Sequence, residues 1–111
     1  MKIAFYAPMK PVDDPTPSGD RQMARAIIRA LEGCEHDVRI TSRFRSWSRL
    51  GGDEAMQALA DQAEREAAAI ASDWQSEGYR PDLLLTYHVY HKAPDWIGPA
   101  LARTAGAAYV I

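Results

Sequence analysis

The stretch from Lys2 to Leu31 constrains this chain most, because it changes character twice within a few turns of backbone. Ile3-Ala4-Phe5-Tyr6-Ala7 is an apolar run too short for a buried helix, which predicts a buried strand. Pro8, Pro11, Pro15 and Pro17 then exclude helix through the polar segment that ends at Asp20. From Arg21 the pattern becomes helical, with Met23, Ala24, Ile27, Ile28 and Leu31 on one face. A strand that feeds a helix through a glycine-bearing loop is the opening unit of a nucleotide-binding α/β sheet.

The remainder repeats the alternation. Gly33 is the expected left-handed cap of the first helix, and His36 to Ser42 reads as a short strand in which Val38 and Ile40 alternate with polar residues. Arg43 to Gly52 is a loop of arginines and aromatics. Asp53 is expected to cap a long helix running to about Ser76, whose apolar stripe is Met56, Leu59, Ala60, Ala63, Ala67, Ile70, Ala71 and Trp74. Asp61, Gln62, Glu64, Arg65, Glu66 and Asp73 fall on its other face.

Gly78 ends that helix, and Leu83 to Tyr87 lacks alternation, as a strand covered on both faces would. A polar, aromatic loop from His88 to Asp95 leads to a short helix over Trp96 to Ala105, with Asp95 as its cap and Pro99 in its first turn. Gly106 stops it, and Ala107 to Ile111 begins a fourth strand. The predicted fold class is therefore α/β: a Rossmann-like parallel sheet of about four strands with helices on both faces. In such a sheet the loops at 8–20, 43–52 and 87–95 all leave the carboxyl ends of strands, where ligands of these folds bind.

Composition narrows the functional classes. Thirteen basic against fifteen acidic residues leave a net charge of −2, so the excess of clustered Lys and Arg that nucleic-acid binding needs is missing. The single cysteine, Cys34, cannot form an internal disulfide and fits a reducing compartment, so a cytoplasmic location is expected. The five-residue apolar run before Pro8 is too short for a secretory signal or a membrane span, although peripheral contact with the inner face of a membrane stays open. These 111 residues are at most one domain. The apolar strand reaching Ile111 suggests the first part of a larger domain, or self-association through that strand.

The candidate site residues lie in the three loops. Ser18, Gly19 and Asp20 precede helical amides that favour an anion, although with one glycine and no phosphate-binding motif the residues by themselves favour a plain helix cap. Tyr87, His88, Tyr90, His91 and Lys92 form the densest chemical cluster, suited to meeting phosphate or hydroxyls and to stacking on a sugar. The competing reading has the tyrosines packing locally and the histidines facing water. No third ligand stands near His88 and His91, so no metal is expected. Arg43, Arg45 and Arg49, interleaved with Phe44 and Trp47, could meet an anionic acceptor or lipid headgroups; an exposed loop pinned by Trp47 is the alternative. Asp13 and Asp14 read as solvated loop charge, and Cys34, between Glu32 and Glu35, as inert.

Met1-Lys2-Ile3-Ala4-Phe5-Tyr6-Ala7-Pro8, then Pro17-Ser18-Gly19-Asp20-Arg21 opening a helix, resembles the start of GT-B-fold glycosyltransferases, above all the retaining family 4 type of bacterial cell-surface polysaccharide synthesis. Pro81-Asp82-Leu83-Leu84-Leu85-Thr86-Tyr87-His88 and Gly106-Ala107-Ala108-Tyr109-Val110 are similar to later landmarks of the amino-terminal domain. The resemblance implies an acceptor-side domain of an enzyme that moves a sugar from a nucleotide donor to a hydroxyl of a glycan or lipid-linked acceptor. It implies no cofactor, the sugar nucleotide being a co-substrate. Ser18, Gly19 and Asp20 would approach the donor phosphates, and Lys10, Tyr87, His88, Tyr90, His91 and Lys92 would line the cleft. Many members carry a double glycine where this chain has Gly19 alone, and the donor-binding domain lies outside these residues. The piece alone is thus expected to be inactive. A stand-alone Rossmann-like or flavodoxin-like module binding a small anion or a protein partner is the alternative without catalysis.

Overall fold

The protein is described by a computed structural model covering residues 1–8, 19–45, 52–87, 89 and 94–111, with the backbone alone at Asp20. Seven elements alternate: β1 (Lys2–Tyr6), α1 (Gly19–Gly33), β2 (Asp37–Ser42), α2 (Asp53–Glu77), β3 (Leu83–Thr86), α3 (Gly98–Ala105) and β4 (Ala108–Val110). All pairings are parallel, in the order β2-β1-β3-β4. The expected Rossmann-like α/β sheet is what the chain forms.

Two apolar layers sandwich the sheet because successive strand residues point to opposite faces. On one face Phe5 and Ala7 of the first strand and its exit pack with Ala24, Ile27 and Ile28 of α1, joined by Val38, Ile40 and Leu85. On the other, Ala4, Tyr6 and Leu84 meet Ala63, Ala67, Ile70 and Trp74 of α2 and Leu101 and Ala102 of α3. Phe5 and Leu84 are fully buried, each such side chain contributing about 2 kcal/mol by leaving water. Half of the predicted α2 stripe, Ala63, Ala67, Ile70 and Trp74, is buried and the other half partly so.

Several local expectations need correction. Asp53 does not cap α2: Gly52 occupies that position, no side chain bonds the free amides, and Asp53 and Glu54 instead favour the positive end of the helix from its first turn. Gly33 does not take the left-handed conformation at the end of α1; Glu35 does, with φ of 67°. The reason is hydrogen-bond register. The His36 amide reaches the Leu31 carbonyl and the Glu35 amide reaches that of Glu32, a Schellman closure with Glu35 at its left-handed position. Gly78 and Gly106 close α2 and α3 in the same way, without the strain a side chain adds. Met23, expected on the apolar face of α1, is 54 % exposed. Glu66 leaves the solvent face of α2 to meet Ser42, and α3 begins at Gly98 rather than Trp96.

A bulge explains the Ser42 contact. Phe5 pairs with Ile40 and Tyr6 with Ser42, so Thr41 is an extra residue in β2. The insertion shifts the side-chain alternation by one, turning Ser42 from the α1 face to the α2 face. Farther down the same edge, Arg39 lies 4.0 Å from the Tyr79 ring centroid and 2.6 Å from the Glu77 carboxylate.

Candidate functional site

The chain reverses its winding direction beside β1: α1 carries it to β2 on one side, while α2 returns it across the sheet to β3 on the other. The carboxyl ends of β1 and β3 are therefore neighbours at a topological switch point, the place where open α/β sheets accept ligands. The backbone is stitched there, the Tyr87 amide donating to the Tyr6 carbonyl at 2.9 Å.

Beneath that edge, on the face covered by α2 and α3, polar side chains organise the roots of two loops. Asp95 is the hub. Its Oδ1 accepts from the Ile97 and Gly98 amides at 3.1 and 2.7 Å, and its Oδ2 from the Thr86 and Tyr109 hydroxyls at 2.7 and 2.5 Å. The cap position of α3 is Ile97, without a side-chain cap bond, so Asp95 is not the cap the sequence suggested. From two residues before it, this one carboxylate holds the amides of Ile97 and Gly98 and fastens the start of α3 to the ends of β3 and β4. Gly98 makes the approach possible: a Cβ there would lie 2.7 Å from Cε1 of Tyr109 and closer still to the Asp95 carboxylate.

A second cluster pins the exit of β2. The buried Tyr6 hydroxyl donates to the Phe44 carbonyl at 2.9 Å, and the Phe44 amide donates to Oγ of Ser42 at 3.0 Å. Ser42 in turn donates to Glu66 at 2.9 Å. Burial first, and then the negative fields of Asp95 and Glu66, push the Tyr6 hydroxyl far above the usual tyrosine range, so it remains a donor.

Tyr109 is likewise pushed up to about 12, chiefly by burial and then by its bond to Asp95. Its folded value lies above the ordinary tyrosine value of 10.0, so the folded state holds a proton that the unfolded chain releases first. Stability is expected to be unaffected by Tyr109 below pH ~10 and to fall between ~10 and ~12 as the unfolded chain ionises. Urea unfolding across that range is expected to slope downward less steeply in Tyr109→Phe. A parallel slope in both proteins would show that this hydroxyl has no share in the effect.

Of the residues expected to form the site, Gly19 is the first residue of α1, exposed and with open space where a Cβ would stand. The backbone of Asp20 follows it in the helix. Tyr87 is half-buried against the Phe5 and Ala7 layer, which agrees with the local-packing reading of its ring. Arg43 and Arg45 are exposed on either side of a half-buried Phe44. Lys10, Asp13, Asp14, Ser18, Trp47, Arg49, His88, Tyr90, His91 and Lys92 lie outside the described residues. Among the described residues no three acidic, histidine or cysteine side chains gather as metal ligands, and no helix is long and apolar enough to cross a membrane.

Fold and site together define a class: a doubly wound parallel α/β module whose loop roots are fastened on the carboxyl edge. No family model, curated protein or solved structure matches the chain.

Proposed function

We propose that this chain is the acceptor-side, amino-terminal domain of a retaining glycosyltransferase that moves a sugar from a nucleotide donor to a hydroxyl acceptor. The observation that supports it best is the adjacency of β1 and β3 at the switch point. It brings the exits of β1 and β3 together, and this reading assigns Ser18, Gly19 and Asp20 to the donor side of one cleft and His88, Tyr90, His91 and Lys92 to its acceptor side. In this reading the α1 amides face donor phosphate and the imidazoles and Lys92 meet the acceptor, with Lys10 on the same rim. The donor nucleotide would sit on a second domain facing this edge, so the 111 residues bind and orient without transferring.

Antibody raised against these residues is expected to detect, in the cells that make the protein, a polypeptide several times larger than 12.3 kDa. Purified, that polypeptide is expected to transfer sugar from one of a panel of nucleotide sugars. Gly19→Ala and His91→Ala are expected to lower its turnover without lowering its melting temperature. A band at 12.3 kDa, or equal turnover in both variants, would leave a binding module without catalysis.

A further inference from the structure

We propose that this chain pairs with a second copy of itself through the open half of the sheet face that carries α1. Strand register defines that half. Phe5, Leu85 and Val110 stand side by side on β1, β3 and β4, and so do Ile3, Leu83 and Ala108. Phe5 packs under α1, which places both rows on that face. Cover thins along each row. Phe5 is 0 % exposed, Leu85 half-buried and Val110 43 % exposed, and Ile3, Leu83 and Ala108 follow the same course. Helices α2 and α3 pack on the opposite face, so among the described residues no helix lies over β3 and β4 on this one. A parallel sheet is ordinarily covered on both faces.

The wall beside the open half is apolar too. At about 100° per residue, Met23, Ile27 and Ala30 share one flank of α1, and Arg21, Arg25 and Glu32 the other. The right-handed crossover from β1 through α1 to β2 turns the first flank toward β3. Met23, 54 % exposed, thus borders the bare strip. The molecule forms a step there, α1 standing above β3 and β4, and neither those strands nor the three flank residues carry a charge. The other edge of the sheet contrasts with it. Strand β2 carries Asp37 and the Arg39–Glu77 pair and is broken by the bulge, devices that discourage pairing.

A second copy fits because the step is complementary to itself. About a two-fold axis parallel to the strands, β3 and β4 of one copy lie over β4 and β3 of the other, and each α1 abuts the other copy's β4 edge. A helix layer and a packed sheet both stand about 10 Å above the sheet beneath, so the two steps match in height. The contact buries Met23 and Val110 of both copies, and it covers the β4 edge with a helix instead of extending the sheet. An uncharged centre with charges left outside is what protein interfaces favour. The inference stands without the transfer reading, whose cleft lies on the carboxyl edge and not on this face.

Sedimentation equilibrium tests it on the 111-residue protein, which is expected to show a monomer–dimer equilibrium between about 5 and about 500 µM. Two short strands make a contact at the small end of specific interfaces, which sets the dissociation constant in that range. Val110→Glu is expected to raise the constant about 30-fold and Met23→Glu about tenfold, because each would bury a carboxylate in an apolar contact. Arg29→Glu, an exposed site on α1 away from the Met23 flank, is expected to leave it unchanged. Circular dichroism checks that each variant is folded. A monomer at every concentration, or association that runs past two copies, would overturn the proposal. So would a dimer indifferent to Val110→Glu, or one as sensitive to Arg29→Glu. A dimer indifferent to Met23→Glu would overturn it as well, by showing edge-to-edge pairing of β4 instead.

Discussion

Asp95→Ala is expected to destabilise the protein by about 3 kcal/mol, because two amides at the start of α3 and two hydroxyls are left without their acceptor. The carboxylate receives two amides and two hydroxyls. Thr86 is 1 % exposed, so water cannot replace what it loses. Hydrogen bonds to a charged group contribute ~2 kcal/mol each, with much of that recovered by relaxation. With a urea slope near the middle of the usual range, the midpoint would fall by roughly 1.5 M. Asp95→Asn keeps an acceptor for the α3 amides but turns an amide group toward the two hydroxyls, and is expected to cost about half as much. A loss below ~1 kcal/mol for Asp95→Ala would mean that α3 is held by packing and that the hub is incidental.

Gly98→Ala is expected to destabilise by about 2 kcal/mol, and its sign is what makes it informative. In an unencumbered helix alanine is better than glycine by up to ~1 kcal/mol, so helix propensity alone predicts a gain. The opposite is expected here because the added methyl would sit 2.7 Å from the Tyr109 ring and inside contact distance of the Asp95 carboxylate. That carboxylate must retreat and give up its short bonds. The two substitutions should therefore not add. With Asp95 already alanine the nearest obstacle is gone, and the further cost of Gly98→Ala is expected to shrink by at least half. Strict additivity in that double-mutant cycle would show that the two residues act separately.

What could be read from residues alone was the periodic part of the chain. Strands β1 and β3 stood out because runs such as Ile3 to Ala7 and Leu83 to Leu85 have no other economical fate, and α2 because four buried positions recur at helical spacing. The winding followed, since parallel crossovers are almost always right-handed. The polar clusters were harder. The place of Asp95 before a proline-containing first turn suggests a cap, yet the helix starts later and the cap position is Ile97. Nothing local announces that Thr86 and Tyr109, nine and fourteen residues away, share one oxygen of Asp95. The bulge was likewise invisible, because Val38 and Ile40 set the alternation only as far as Ile40, and only pairing with β1 reveals the extra residue after it. Glu35 shows the limit in another way. Composition favours Gly33 for a left-handed turn, yet the hydrogen bonds that end a helix count residues from its last full turn.

The groove between α2 and α3 bears on how the molecule breathes. It has a volume of 350 Å³ at one end and is lined there largely by Ala60, Ala67, Ala68, Ala71 and Ala100, so the two helices share little side-chain bulk. Short side chains contribute few dispersion contacts, and α3 depends correspondingly on its hydrogen-bonded ends. At one end stands Asp95, whose bond to Tyr109 also ties in β4; at the other the Gly106 closure leads directly into that strand. Helix and strand therefore share their fastenings and would be released together. Residues 98–110 are therefore expected to open as a unit at a lower cost than global unfolding, and Asp95→Ala is expected to speed the exchange of their amides with solvent.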